Sequence, residues 1–154
     1  MATTTSHNPS GDERGAVLEV PVRPEAVTRA RAAVRRVAAD TGLDGDRIDD
    51  LVVAVSEACT NALEANLRAR CDDPIIVTVT AGATEIEVCV TDCGAGFEPD
   101  TLPVRPPLAH PGHLDVERGW GIQLMRELVD ELVFDITGRG TTACLRMRLD
   151  AAAR

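Results

Sequence analysis

The chain has 154 residues, enough for one domain with a single buried core, and 44% of them are hydrophobic. Aromatic residues make up 2%, with no Tyr, so the core must be aliphatic; the aromatic platforms on which single-strand nucleic-acid readers stack bases are missing. The net charge is −9 and all 16 basic residues are Arg, which disfavours direct nucleic-acid binding, and no apolar run approaches the roughly 18 residues of a membrane span. With no apolar h-region near the N-terminus, a cytoplasmic protein without membrane contact is expected.

In chain order, residues 1–15 are rich in Thr, Ser, Asn and Gly and read as a disordered tail. Ala16 to Val22 alternates apolar and polar residues as an edge-like strand does. Pro24 opens a helix with Val27, Ala30, Val34 and Val37 at helical spacing, ending near Thr41-Gly42. In a second helix Ile48, Leu51, Val52, Val55, Cys59, Ala62 and Leu63 form one apolar stripe, until Arg68 to Pro74 breaks it. Ile75–Thr80 and Glu85–Thr91 read as a hairpin around Gly82. From Gly94 to Gly119 the chain is proline-rich and lacks a sustained period, which suggests a functional loop. A third helix is expected from about Gly121 to Asp130, then strands at Leu132–Thr137 and Thr142–Leu149 around a Gly138-Arg139-Gly140 turn. This order predicts an α+β domain over 16–150, with helices on one face of a mixed, mostly antiparallel sheet, and a short tail at 151–154.

Four groups of residues offer chemistry. Glu57 and Asn61 lie one helical turn apart on the polar side of the second helix, where a carboxylate and an amide oxygen make hard ligands suited to Mg²⁺. An ordinary solvated helix face is the bland alternative. Asp92-Cys93-Gly94-Ala95-Gly96 follows a strand, and its glycines let a flat ligand come close while the carboxylate accepts from an exocyclic amine. A strand-capping turn would look the same. Arg118-Gly119-Trp120-Gly121 stands where the long loop is expected to enter a helix, so that main-chain N–H groups and Arg118 favour phosphate. Gly140-Thr141-Thr142 opens the last strand.

Other chemistries find no support. A Rossmann or P-loop signature is absent, as is any Lys. His7 lies in the tail, and His110 and His113 lie in the proline-rich loop, away from any triad pattern. The five cysteines form no C-x-x-C pair; Cys59 and Cys89 read as small core residues, with neither a disulfide framework nor a zinc site expected.

Taken in order, the four motifs resemble the GHKL (histidine-kinase-like) ATPase superfamily. Val55 to Ala62 is similar to the N box of its anti-sigma-factor serine/threonine kinases, the SpoIIAB and RsbW type; Asp92 to Gly96 resembles the G1 box, Gly119-Trp120-Gly121 the G2 box and Gly140-Thr141-Thr142 the last box. The resemblance implies a two-layer α/β sandwich (the Bergerat fold) with an ATP lid at about 97–118. It implies ATP or ADP and Mg²⁺ as cofactors, with Asn61 on the metal and Glu57 as catalytic residue. Asp92, Gly94 and Gly96 would shape the adenine pocket, Arg118, Gly119 and Gly121 would meet the phosphates, and Thr141 or Thr142 would sit behind the adenine. The position four after the N-box Asn is often His in this branch; here it is Ala65. The implied function is an ATP-dependent protein serine kinase and homodimeric anti-sigma factor that phosphorylates a STAS-domain anti-anti-sigma protein and sequesters a sigma factor. A nucleotide-gated partner-binding module without kinase activity is the alternative.

Overall fold

The structure, a computed structural model, describes residues 14–96 and 114–150, and for 114–119 the backbone alone. In chain order the elements are β1 (Arg14–Val20), α1 (Glu25–Ala38), α2 (Gly45–Ala69), β2 (Ile75–Ala81), β3 (Glu85–Thr91), α3 (Leu114–Leu128), β4 (Glu131–Thr137) and β5 (Gly140–Arg148). The strands form one sheet in the order β1-β2-β3-β5-β4. Every pairing in it is antiparallel, the limiting case of the mostly antiparallel sheet expected.

Alternation divides the sheet into two faces. Ile75, Val77 and Val79 of β2, Ile86, Val88 and Val90 of β3, and Leu145 and Met147 of β5 are buried beneath the helices. The opposite face is half-exposed, and across it Arg146 of β5 binds Glu87 of β3 and, at 2.6 Å, Glu131 of β4. With so few aromatics, the space between the layers is filled by aliphatic side chains such as Leu51, Val52 and Val55 from α2, Val34 from α1 and Met125 from α3. This is the two-layer α+β sandwich that the element order implies.

The longest element, α2, runs for 25 residues because both ends are capped. Asp44 accepts a hydrogen bond from the Arg47 N–H at 2.9 Å, and Arg70 closes the other end in the left-handed conformation, φ 52°. Arg47 also reaches the far side of the molecule, donating to the Arg148 carbonyl at 2.8 Å and pairing with Asp130 at 2.6 Å.

Several boundaries differ from the sequence reading, three of them by enough to matter here. Arg14 and Gly15, assigned to the tail, open β1: Arg14 pairs with Ala81 and its guanidinium meets Asp40 at 3.2 Å, so the partner strand sets the end. The first helix stops at Ala38, short of Gly42, because Thr41 turns the chain by bonding the Ala38 carbonyl at 2.7 Å. The third helix begins at Leu114, not near Gly121, so residues 114–118 of the range assigned to the lid are helical. Residues 1–13, 97–113 and 151–154, which hold the rest of the expected tails and lid, lie outside the described residues.

Candidate functional site

The polar side of α2 does not face open water. It meets α3, and the point of closest approach is Gly121: a Cβ there would lie 3.0 Å from Glu57 Oε2 and 3.8 Å from both amide atoms of Asn61. Glu57 and Asn61 therefore converge on one spot, half-buried, and neither has a hydrogen-bond partner among the described residues. Only a residue without a side chain lets the helices approach this closely while leaving both polar groups available. Trp120, half-buried, precedes Gly121 in the same helix. Arg118 and Gly119 belong to the second turn of α3, not to its N-terminus, so the sequence argument from unpaired first-turn N–H groups does not apply to them; their side-chain surroundings lie outside the described residues.

One turn further along α2, roughly 6 Å on, Ala65 meets the turn that follows β3. A Cβ on Gly94 would fall 2.7 Å from the Ala65 Cβ, so small residues on both sides are needed for the turn to seat. The Ala that replaces the frequent His at this position thus has a packing role. Asp92 is held tightly in that turn. Its Oδ1 accepts from the Gly94 N–H at 2.8 Å and the Thr141 N–H at 3.2 Å, and its own N–H donates to the Thr141 carbonyl at 2.9 Å. Gly96 takes φ +81° against Ile136, and Gly140 is pressed so closely on the Asp92 carbonyl that any Cβ would collide with it.

Thr141 and Thr142 part company. The Thr141 hydroxyl is buried on the helix side, has no hydrogen-bond partner among the described residues, and lies 3.7 Å from where a Gly96 Cβ would be. Thr142 lies on the opposite face of the sheet, its hydroxyl 2.9 Å from that of Thr91. Thr142 is therefore no part of the pocket wall. Alternation in β5 carries this signal, since Ala143, Leu145 and Met147 share the parity of Thr141.

The cysteines correct the sequence reading most. Two disulfides form, Cys71–Cys93 and Cys89–Cys144; only Cys59 stays free, in the core, where burial pushes its thiol up to about 12. Cys89 and Cys144 are directly opposed in the β3/β5 register, a relation no local spacing reveals. Both groupings of cysteine with carboxylate, Cys71/Asp73/Cys93 and Glu87/Cys89/Cys144, contain these bonded sulfurs.

The site thus has two ends. One is a carboxylate and an amide facing a glycine; the other is a fixed carboxylate, two closely packed glycines and an orphaned buried hydroxyl. These features fit a nucleotide: the Thr141 hydroxyl is buried without a partner among the described residues, and Glu57 and Asn61 are polar groups that a ligand can satisfy.

Residues 20–149 match the family model of the Histidine kinase-like ATPase domain. The chain belongs to this family of ATPases, and within it to the RsbW type of serine-protein kinase. It is 33% identical over 120 residues to serine-protein kinase RsbW of Bacillus subtilis (strain 168), covering 75% of this chain and 74% of that protein. RsbW of Listeria monocytogenes serotype 4a (strain HCC23) is 33% identical over 84 residues, 54% of each chain. The crystal structure of the RsbU and RsbW domains of Rv1364c from Mycobacterium tuberculosis superposes with a TM-score of 0.65 at 26% identity, covering 95% of this chain. The match spans 34% of that longer polypeptide.

Proposed function

We propose that the protein is an ATP-dependent, Mg²⁺-requiring serine kinase and anti-sigma factor. It phosphorylates a STAS-domain anti-anti-sigma protein and sequesters a sigma factor, as a cytoplasmic homodimer within a stress response. The observation that carries the kinase reading is the convergence of Glu57 and Asn61 on Gly121. The serine-kinase names of the relatives support it.

Each residue then has a task its chemistry suits. Asn61, with its amide oxygen, helps hold Mg²⁺; Glu57 orients the incoming serine hydroxyl and takes its proton. When bound, Mg²⁺-ATP supplies the phosphoryl group and the divalent charge that offsets its oxygens. Asp92, fixed by two main-chain N–H groups, accepts from the adenine amino group, and the Thr141 hydroxyl gains the partner it lacks. Gly94 and Gly96 let the turn that carries Asp92 seat closely at the adenine side, and Gly121 lets α3 approach Glu57 and Asn61 at the phosphate side. Arg118 and Gly119 extend that phosphate side along α3. Catalysis of this kind rests on positioning and charge, so few groups suffice.

Labelled ATP, Mg²⁺ and the cognate STAS-domain protein provide the test. Transfer to a serine with the wild type and its loss with Glu57→Ala are expected; undiminished transfer by the variant would sink the kinase reading. Sigma-factor capture that persists in Glu57→Gln and fails in Asp92→Asn, with no transfer by the wild type, would instead establish the partner-binding module.

A further inference from the structure

The Cys71–Cys93 bond lies at the adenine end of the candidate site. Cys93 is the residue after Asp92 and directly before Gly94, so its sulfur belongs to the turn that positions the carboxylate. Cys71 stands on the short exposed segment between α2 and β2. The buried amide of Asn66 also joins these two segments: its Oδ1 accepts from the Cys93 N–H at 2.9 Å and its Nδ2 donates to the Asp73 carbonyl at 3.1 Å. The Cys71 N–H in turn donates to the Asn66 carbonyl at 2.9 Å. The end of α2, the 70–74 segment and the Asp92 turn therefore form one clasp, closed by a covalent bond and by hydrogen bonds through Asn66.

We propose that Cys71 and Cys93 form a reversible dithiol–disulfide switch that sets the affinity of the adenine pocket, tighter when oxidised. The proposal rests on the nucleotide reading of the site. Its physical basis is preorganisation: the bond removes freedom from the turn carrying Asp92, so less order remains to be imposed on binding. The oxidant is a small-molecule disulfide of the glutathione class. The Cys71 thiolate, on the exposed segment, attacks one of its sulfurs and expels one thiolate. The Cys93 thiolate then attacks the Cys71 sulfur of the mixed disulfide and expels the second. Two electrons pass from the protein dithiol to the small disulfide, and the two protons end on the two released thiols.

Linkage makes the effect reciprocal: a nucleotide that prefers the oxidised form must favour its formation by the same factor.

The test uses the full chain, equilibrated with oxidised glutathione or with excess dithiol reductant, the 71–93 link being checked by peptide mass mapping. ADP with Mg²⁺ is titrated calorimetrically. The oxidised protein is expected to bind about fivefold or more tightly than the reduced. Cys71→Ser should bind as the reduced wild type does under both conditions, with a cooperative thermal transition showing that it is folded. Cys89→Ala/Cys144→Ala, which lacks the other disulfide, should keep the full difference. ADP should raise the equilibrium constant for 71–93 formation against the glutathione couple by the same factor. Equal affinities, tighter binding by the reduced form, or no 71–93 bond under oxidant would each overturn the switch while leaving the nucleotide reading standing. Stoichiometric zinc held by the reduced wild type and lost in Cys71→Ser would overturn it in favour of a metal site. Absence of ADP binding in every state would overturn the nucleotide reading, and the switch with it.

Discussion

Two residues of the candidate site give opposite predictions for stability and for ligand binding, which separates function from packing. Thr141 is a buried hydroxyl without a partner, a liability in the absence of ligand. Thr141→Val should leave the apo protein as stable or more stable by about 1 kcal/mol in denaturant titrations, while ADP binding weakens roughly tenfold. Equal ADP affinity would remove Thr141 from the site. Gly121 works the other way round. A helix interior prefers Ala to Gly by about 1 kcal/mol, so a glycine there with no other task should be improved by the change. Its Cβ would instead press on Glu57 at 3.0 Å. Gly121→Ala should keep its melting temperature within a few degrees yet lose phosphoryl transfer by at least about tenfold, the scale expected of small misplacements around reacting groups. Sequence alone singles out both positions but not the reason. A glycine in a G-x-G reads as a loop residue until the facing helix is known, whereas the choice between Thr141 and Thr142 was legible from strand parity.

Among the elements, α2 was the most legible, because its apolar stripe is long and its breakers at Arg68 to Pro74 are clear. Its first turn depends on a side-chain cap. Asp44→Ala should lower stability by about 1 kcal/mol, read as a shift of the urea midpoint at unchanged slope. The start of α3 was not legible. Gly119 and Gly121 depress helix propensity locally, and contact with α2 overrides that preference. The same tertiary cause explains why the helix spans the G-x-G instead of beginning there. At the other end of α2, Asn66 is a buried polar residue committed to two segments at once; its helical neighbours give no hint of this, because its partners, Cys93 and Asp73, are set by the sheet.

Across the whole molecule, Arg47 and Asp130 tie the start of α2 to the end of the sheet. The Arg148 N–H, donating to Asp130 at 2.7 Å, holds that carboxyl below its ordinary value; burial, next in size, opposes this, and the hydrogen bond and charge of Arg47 add to the lowering. A carboxyl lowered in the folded state stabilises the fold above its unfolded value, near 4, and loses that contribution as pH falls through the lower folded value. Asp130→Asn should therefore be less stable than wild type at neutral pH, with the gap narrowing below about pH 4 in denaturant midpoints taken across the acid range. A gap independent of pH would assign the loss to shape alone. Overall architecture was readable from the alternation of strand and helix periods, but the disulfides were not: Cys89 meets Cys144 only through the β3/β5 register, and Cys71 meets Cys93 only once the end of α2 has docked.

The helix that closes over Glu57 and Asn61 carries the chain's single indole, and the sequence contains no Tyr. The protein is thus its own optical probe. Light absorbed near 295 nm, roughly where only indole absorbs, is re-emitted from Trp120 alone, one residue from the glycine on which the site converges. Changes in its emission maximum or in quenching by acrylamide report α3 against α2 without a label or a second chromophore to subtract. The scarcity of aromatic residues that forced an aliphatic core also leaves this one spectroscopic voice with no background.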